Sequence, residues 1–279
     1  MKIVNHRLEG DNIIIHGSPN RGGELVPDTI VIHYTGGASA ESAVATLSDP
    51  AKKVSAHLVV DFDGAITQLV PFNVIAWHAG PSSYGGRSGF NKYSVGIEIV
   101  NAGRLTKTGD SYVSWFGRSY PPEQVFQGVH RNETAPTYWQ RFTEQQIAKT
   151  AEVCELLLKE YAINLILGHE EISPGRKIDP GPAFPLDKLR DRLLNPNRDQ
   201  DEPALPAPLP LAAGVVNAGS LNIRSGPSLT ANKIANPLPR GKRVKILESA
   251  DGWHHVAVEI DGWVSAQYIE VGGQTTEVG

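Results

Sequence analysis

Apolar and polar positions alternate with two different periods along the first part of the chain. Asn12–His16, Thr29–Tyr34, Ala56–Asp61, Ile66–Val70 and Ser94–Val100 are short runs rich in β-branched residues and bounded by Gly, Pro, Asn or Asp. That pattern predicts strands. Asp63-Gly64, between two of these runs, predicts a hairpin turn. Within Ser94–Val100, strand geometry puts Val95, Ile97 and Ile99 on one face and Gly96, Glu98 and Val100 on the other. Ala40–Leu47 and Thr143–Tyr161 instead repeat at helical spacing. In the second, Ile147, Ala151, Cys154, Leu157, Leu158 and Tyr161 share a face, and Thr143 with Gln146 forms a capping box. Pro185–Leu194 predicts a last helix. Strands interspersed with helices in this way predict an α/β fold, one central β-sheet flanked by helices.

The pattern changes after Leu194. Asn195 to Pro210 carries Asp199-Gln200-Asp201-Glu202 and then Pro203, Pro206, Pro208 and Pro210. Such a segment cannot build a core and favours an extended spacer. The expected organisation is a large domain over 1–194, a Pro-rich linker over 195–213 and a small domain over 214–272. In the small domain Leu221–Arg224, Arg243–Glu248, Trp253–Val258 and Trp263–Val264 read as short strands. Gly226-Pro227, Gly241, Asp251-Gly252 and Asp261-Gly262 punctuate them, which predicts a small all-β barrel. Inside the large domain, Gly103–Gln140 is a long segment rich in Trp, Tyr, Phe and Pro. Connections of that length are often functional. Trp115, Tyr120 and Trp139 are its candidates for lining a sugar-binding groove, and the competing reading is that they pin a surface excursion.

Composition narrows the function classes. The 279 residues are 40% hydrophobic and 20% charged, ordinary for a globular protein. A formal net charge of -4 gives no electrostatic case for nucleic acid or an anionic membrane surface. No apolar run is long enough to span a bilayer, and the N-terminus shows no signal peptide. Any export is therefore expected to use a route other than a visible cleavable signal. Cys154 is the single cysteine, so it forms no intramolecular disulfide, and its helical apolar setting predicts a buried core thiol.

The candidate chemistry concentrates in Gly168–Pro182. This Pro/Gly-stiffened loop holds His169, Lys177 and Asp179, and His33 ends the apolar run Thr29–Ile32. Two imidazoles and a carboxylate on a rigid scaffold are a catalytic Zn2+ set with one open position. Lys177 offers a cation for an oxyanion, against the commoner fate of an exposed loop lysine. Glu98 offers a carboxylate to take a proton from attacking water and return it to a leaving amine, against an exposed face of an antiparallel strand. A mid-strand carboxylate beside Gly96 also predicts a cavity next to that face. His57 and His78 are each open to three roles: orienting a ligand, contacting substrate or sitting satisfied in the core. The loop Pro81–Asn91 reads as a groove wall. His57, Trp77, His78, Arg87 and Asn91 are the candidate substrate-binding residues.

Five blocks in order carry a resemblance: IVIHYTGG, SAHLVVDFDGAITQLVP, AWHAG, NKYSVGIEIVNAG and GHEEISPGRKIDPGPAF. Asp28 to Arg192 resembles the zinc-dependent N-acetylmuramoyl-L-alanine amidases, a family that includes phage amidases, wall-recycling amidases and peptidoglycan recognition proteins. The resemblance implies a mixed central sheet with flanking helices and an open groove floored by zinc. It implies that His33, His169 and Asp179 bind zinc, that Glu98 is the general base and that Lys177 assists. Ala56 stands where the phage branch has a catalytic tyrosine, so the chain is similar to the glutamate branch. The implied reaction cuts the amide between N-acetylmuramic acid and L-alanine in peptidoglycan or a muropeptide. Leu221–Ile269 resembles a bacterial Src-homology-3-like domain, which implies cell-wall targeting; Arg224, Trp253, Trp263 and Tyr268 are its candidate surface or core side chains. Two competing readings are a non-catalytic recognition protein, opposed by the intact ligand set, and a zinc peptidase, opposed by the absence of H-E-x-x-H. Oligomeric state is open.

Overall fold

The structure, a computed structural model, describes residues 1–194, 212–229, 231–250 and 252–258. The chain forms two compact units, Met1–Asp199 and Gln200–Gly279. In chain order the first unit contains β1 (Ile13–Ile15), β2 (Thr29–Tyr34), α1 (Ala40–Ser48), β3 (Leu58–Val60), β4 (Ile66–Gln68) and β5 (Ser94–Ile99). Then come β6 (Arg104–Thr108), β7 (Ser111–Val113), β8 (Ser119–Tyr120), β9 (Val125–Val129) and β10 (Pro136–Gln140). They are followed by α2 (Glu144–Glu160), β11 (Leu165–Gly168), α3 (His169–Ile172) and α4 (Leu186–Leu194).

The central sheet has the order β11-β2-β5-β3-β4-β1. It is mixed: β11, β2, β5 and β3 are mutually parallel, β3 and β4 form the antiparallel pair around Asp63-Gly64, and β4 is parallel to β1. Parallel strands buried on both faces read as continuous apolar runs, which is why Thr29–Ile32 shows no alternation. One face carries Ile30, Ile32, Val95, Ile97 and Ile99 against Val153, Cys154 and Leu157 of α2 and Leu186 and Leu189 of α4. The other face packs Val59 and Val100 against Ala43 and Leu47 of α1. Fully burying each large aliphatic side chain contributes roughly 1.5–3 kcal/mol. Cys154 is a buried core thiol, and burial pushes its pKa up to about 12.

Residues 103–140, read from sequence as a long connection, contain secondary structure that the sequence pattern did not assign. They fold as a second, antiparallel sheet of order β8-β7-β6-β10-β9. Tyr120 and Val125 join Ala102 and Leu105 in a small core of its own. Strand alternation was masked here by the many aromatic and polar residues, and no single run is longer than five residues. The strands expected at Ala56–Asp61 and Ile66–Val70 are shorter, Leu58–Val60 and Ile66–Gln68.

The second unit is all-β in its described residues. β12 (Ala212–Val215), β15 (Arg243–Ala250) and β16 (Trp253–Ala257) form one antiparallel sheet, and β13 (Ser220–Arg224) pairs with β14 (Lys233–Pro239). β12 starts inside the stretch expected to be linker, and β14 was not anticipated because Asn236 and two prolines interrupt its apolar pattern. The expected strand Trp263–Val264, and Tyr268, lie outside the described residues.

Thr143 caps α2 and ties it to the sheet. Its hydroxyl accepts from Gln146 N at 3.1 Å and donates to Phe62 O at 2.7 Å, while Gln146 Oε1 accepts from Thr143 N at 3.0 Å. Thr143→Ala should lower the unfolding free energy by about 1–2 kcal/mol, with Thr143→Ser retaining most of it; denaturant unfolding of both variants checks this.

Candidate functional site

Three neighbouring parallel strands end side by side. Glu98 of β5 lies opposite His33 of β2, and Gly168 of β11 lies opposite Ile32, which brings the following residue His169 level with His33. Alternation turns His33 and Glu98 to the same face, away from α2. Sites in open α/β sheets form at these carboxyl ends. Asp179 comes in from the loop after α3, where its carbonyl accepts from Glu170 N at 2.8 Å.

His33 Nδ1, His169 Nδ1 and Asp179 Oδ2 form a triangle with edges of 2.9, 2.9 and 3.0 Å. The three residues are buried, 1%, 3% and 7% exposed. Their far sides fix the tautomers. His169 Nε2 donates to Ala79 O at 3.1 Å. Ser94 Oγ donates to Phe90 O, so its lone pairs and Ser94 O receive the Nε2–H of His78. His78 Nδ1 is then an acceptor for the Nε2–H of His33 at 2.9 Å. With both ring protons placed outward, two nitrogen lone pairs and a carboxylate face one another. That arrangement is suited to a shared cation.

Burial and then the charge of His169 lower the pKa of His33 to about 4, so this ring is neutral at neutral pH. Burial alone would push the Asp179 carboxyl up, but hydrogen bonding with His169 and His33 outweighs it and holds the group well below the usual carboxylate range. A buried, convergent N,N,O donor set with outward protons held by neighbours fits a divalent metal.

Glu98 stands beside this triangle. Its Oε2 is buried with no hydrogen-bond partner among the described residues. Burial, reinforced by the charge of Asp179, raises its pKa well above the usual value, and Lys177 opposes the rise. Lys177 also depresses His33, so its charge bears on the triangle from the same loop.

The remaining candidates divide. His78 belongs to the site, but as the partner that orients His33. Its ring fills the space beside Gly96 where a cavity was expected: a Cβ at Gly96 would stand 2.4 Å from His78 Cγ. Asn91 does not face the triangle's ligand atoms; its Oδ1 accepts from His78 N and Ala79 N at 3.0 and 2.7 Å and so holds the segment that orients both histidines. His57 is a satisfied core residue, not a substrate contact: Nδ1 accepts from Gly96 N and Nε2 donates to Val74 O, both at 3.0 Å. Arg87 is likewise structural. It pairs with Asp28 and donates to Thr29 Oγ1 at the opposite, amino end of β2. Trp77 lies against Gly22. Tyr120 and Trp139 are buried, so neither lines a groove. Trp115 is 79% exposed, with its indole N–H donated to Gly36 O at 2.7 Å.

Sequence reasoning passed over Arg176 and Glu170. Arg176 Nη2 lies 2.8, 2.8 and 2.7 Å from Ala79 O, Pro81 O and Ser173 Oγ, which share its two hydrogens, and so closes the loop against the segment that receives His169. Its position inside Gly175-Arg176-Lys177 was the available signal. Glu170 had none, since a glutamate after a ligand histidine reads as exposed.

The family model described as N-acetylmuramoyl-L-alanine amidase matches residues 23–182, more than half of the chain. The chain belongs to that amidase family. A bacterial SH3 domain model matches residues 219–270. The chain is 32% identical over 151 residues to the 1,6-anhydro-N-acetylmuramyl-L-alanine amidase AmpD of Citrobacter freundii, covering 53% of this chain and 62% of that protein. It is 33% identical over 169 residues to the N-acetylmuramoyl-L-alanine amidase AmiD of Escherichia coli K12, covering 57% and 51%. The matched part therefore spans between half and two-thirds of these relatives. A crystal structure of a selenomethionine AmpD derivative superposes with a TM-score of 0.50 at 28% identity, covering 68% of this chain and 98% of that one. No helix among the described residues is long and apolar enough to cross a membrane.

Burial lowers the pKa of His57 from 6.5 to about 4, against the hydrogen bond to Val74. The unfolded chain therefore takes up a proton below pH 6.5 that the folded one refuses until about pH 4. The stabilisation is complete above 6.5 and is lost as pH falls through that window, by about 3 kcal/mol in all. His57→Gln should be less stable than the parent near neutral pH, and the gap should narrow as the pH falls to about 4. Urea unfolding at several pH values checks this; a constant gap would mean that His57 is not held neutral.

Proposed function

We propose that the chain is a zinc-dependent amidase that hydrolyses the amide between the lactyl group of N-acetylmuramic acid and the L-alanine of the stem peptide. The observation that carries this reading is the inward-facing triangle of His33, His169 and Asp179 with the unpartnered Glu98 carboxylate on the adjacent strand. The bond is the one in the names of AmpD and AmiD. His33, His169 and Asp179 would hold Zn2+, which when bound supplies a Lewis acid for the scissile carbonyl and lowers the pKa of water.

The protein's own groups do the rest. Glu98 Oε2 accepts the proton of the attacking water and returns it to the leaving amine. Its raised pKa suits the second half, since a carboxyl held neutral is an effective acid. Lys177 stabilises the oxyanion that develops on the carbonyl. His78 and Arg176 keep the ligand rings in their tautomers and the loop closed. Trp115 presents its ring faces to a sugar, because its one polar atom is already tied to Gly36. The SH3 unit supports the polymeric wall as the substrate, and the AmpD relatives support released anhydro-muropeptides.

Mass spectrometry of intact sacculi and of purified muropeptides, after incubation with zinc-loaded and chelated protein, tests the reading. Release of free peptides beginning with L-alanine, abolished by chelation, is the expected outcome, and the preferred substrate separates a lytic role from a recycling one. Binding to sacculi without cleavage would leave a recognition protein instead. Glu98→Gln should keep stoichiometric zinc and lose turnover by about 10²–10⁴-fold; full activity in that variant would remove Glu98 as the base.

A further inference from the structure

We infer that the second sheet, β6–β10, braces the metal-ligand loop, and that Glu170 is the positioning residue through which it acts. The inference rests on the metal-site reading above.

Glu170 directly follows His169 and is 2% exposed. Everything it offers is used. Its main-chain N–H donates to Asp179 O at 2.8 Å, which links the two ligand-bearing segments. Its Oε2 accepts from Gly181 N at 3.1 Å, two residues beyond Asp179. Its remaining contacts go to the end of β9: Oε1 accepts from Arg131 Nε at 2.7 Å, Oε2 lies 2.6 Å from His130 Nε2, and Glu170 O accepts from Asn132 Nδ2 at 3.0 Å. One buried carboxylate therefore joins the second sheet, the helix start that presents His169 and the turn that presents Asp179.

A second contact is independent of charge. Gly181 has φ +72°, and a Cβ there would stand 2.7 Å from Trp139 Cζ3 of β10. The turn after Asp179 is thus pressed between the Trp139 ring and the Glu170 carboxylate. Trp139 is itself stacked on His130, with ring centroids 5.7 Å apart. The sheet reaches the loop along two routes that meet in the same pair of side chains.

The loop needs such support. Gly175, Pro180, Gly181 and Pro182 give it no ladder of its own, and ligand atoms must be held within about 0.5 Å for a preorganised site. Partners that orient metal ligands are worth about 10–100-fold in metal affinity. A glutamine at 170 has one acceptor oxygen in place of two, so Gly181 and Arg131 cannot both be served.

The test measures metal binding by the full-length chain. Zinc affinity is determined by chelator competition for the parent, Glu170→Gln, Arg131→Gln and Trp139→Phe, and the absorption spectrum of each cobalt-loaded protein is recorded. Thr143→Ala, destabilised at a distance, serves as the stability control. Expected are zinc dissociation constants at least tenfold higher in Glu170→Gln and raised in Arg131→Gln, altered cobalt bands in both, and no change in Thr143→Ala. Arg131→Gln, altered at a partly exposed side chain, carries the test if Glu170→Gln does not fold. Folded variants with parental zinc affinity and cobalt spectra would overturn the brace. A parent that binds neither ion would instead overturn the metal site on which it rests.

Discussion

The convergence of two imidazole lone pairs and a carboxylate inside a buried space is the constraint on which the rest of the site depends. Acceptors at about 3 Å repel one another, and burial removes the water that would screen them. Such a cluster persists only where the scaffold dictates it. Here the dictate comes from parallel register. β11, β2 and β5 end at one level, so His169, His33 and Glu98 are set in a row by the same backbone ladder that buries Ile30, Ile32, Val95 and Ile97 on the opposite face. Slipping β2 by one residue would turn His33 into the α2 core and Ile32 toward the metal loop. The apolar face therefore enforces the position of the polar one.

Around that row the protein places groups whose work is to decide where protons lie. His78 takes the outward proton of His33, and Ser94, whose own hydroxyl is committed to Phe90, takes that of His78. Ala79 takes that of His169. Asn91 holds the backbone of 78 and 79 so that these acceptors stay in place. Gly96 is the steric condition for the arrangement, because only a residue without Cβ lets the His78 ring lie on the strand. Electrostatics and sterics thus meet at one small residue two positions before Glu98.

Much of this was legible in the sequence, for reasons that differ by element. The long strands were readable as short apolar runs rich in β-branched residues, α2 because burial on one face imposes a helical period, and Thr143 and Gln146 announced the helix start. The convergence of His33, His169 and Asp179 was readable because two histidines and a carboxylate on a stiff frame have few chemical uses apart. Residues 103–140 were not, since five short strands around a small aromatic core leave no period long enough to recognise. His57 and Arg87 were misread for another reason. A histidine with both nitrogens bonded to backbone looks, in sequence, like one awaiting a substrate. An arginine in a Gly/Ser loop gives no sign that its partner is Asp28 at the far end of a strand.

Glu170 shows what sequence reading cannot reach even in principle from local pattern. Its neighbours along the chain define it as a helix-start glutamate, and its function in the fold is defined by Arg131, His130 and Gly181, which are distant in sequence. A buried carboxylate is costly unless every oxygen is satisfied. Two donors, Arg131 Nε and Gly181 N, with His130 Nε2 at 2.6 Å, meet that condition only if the second sheet is docked and the loop that carries Asp179 is closed at the same time. The cost of leaving Glu170 unsatisfied then falls on any arrangement in which one of those two events has occurred without the other. A loop built of glycine and proline, closed on one side by Arg176, is coupled on the other, through the Glu170 carboxylate and the Trp139 ring, to the docking of a sheet.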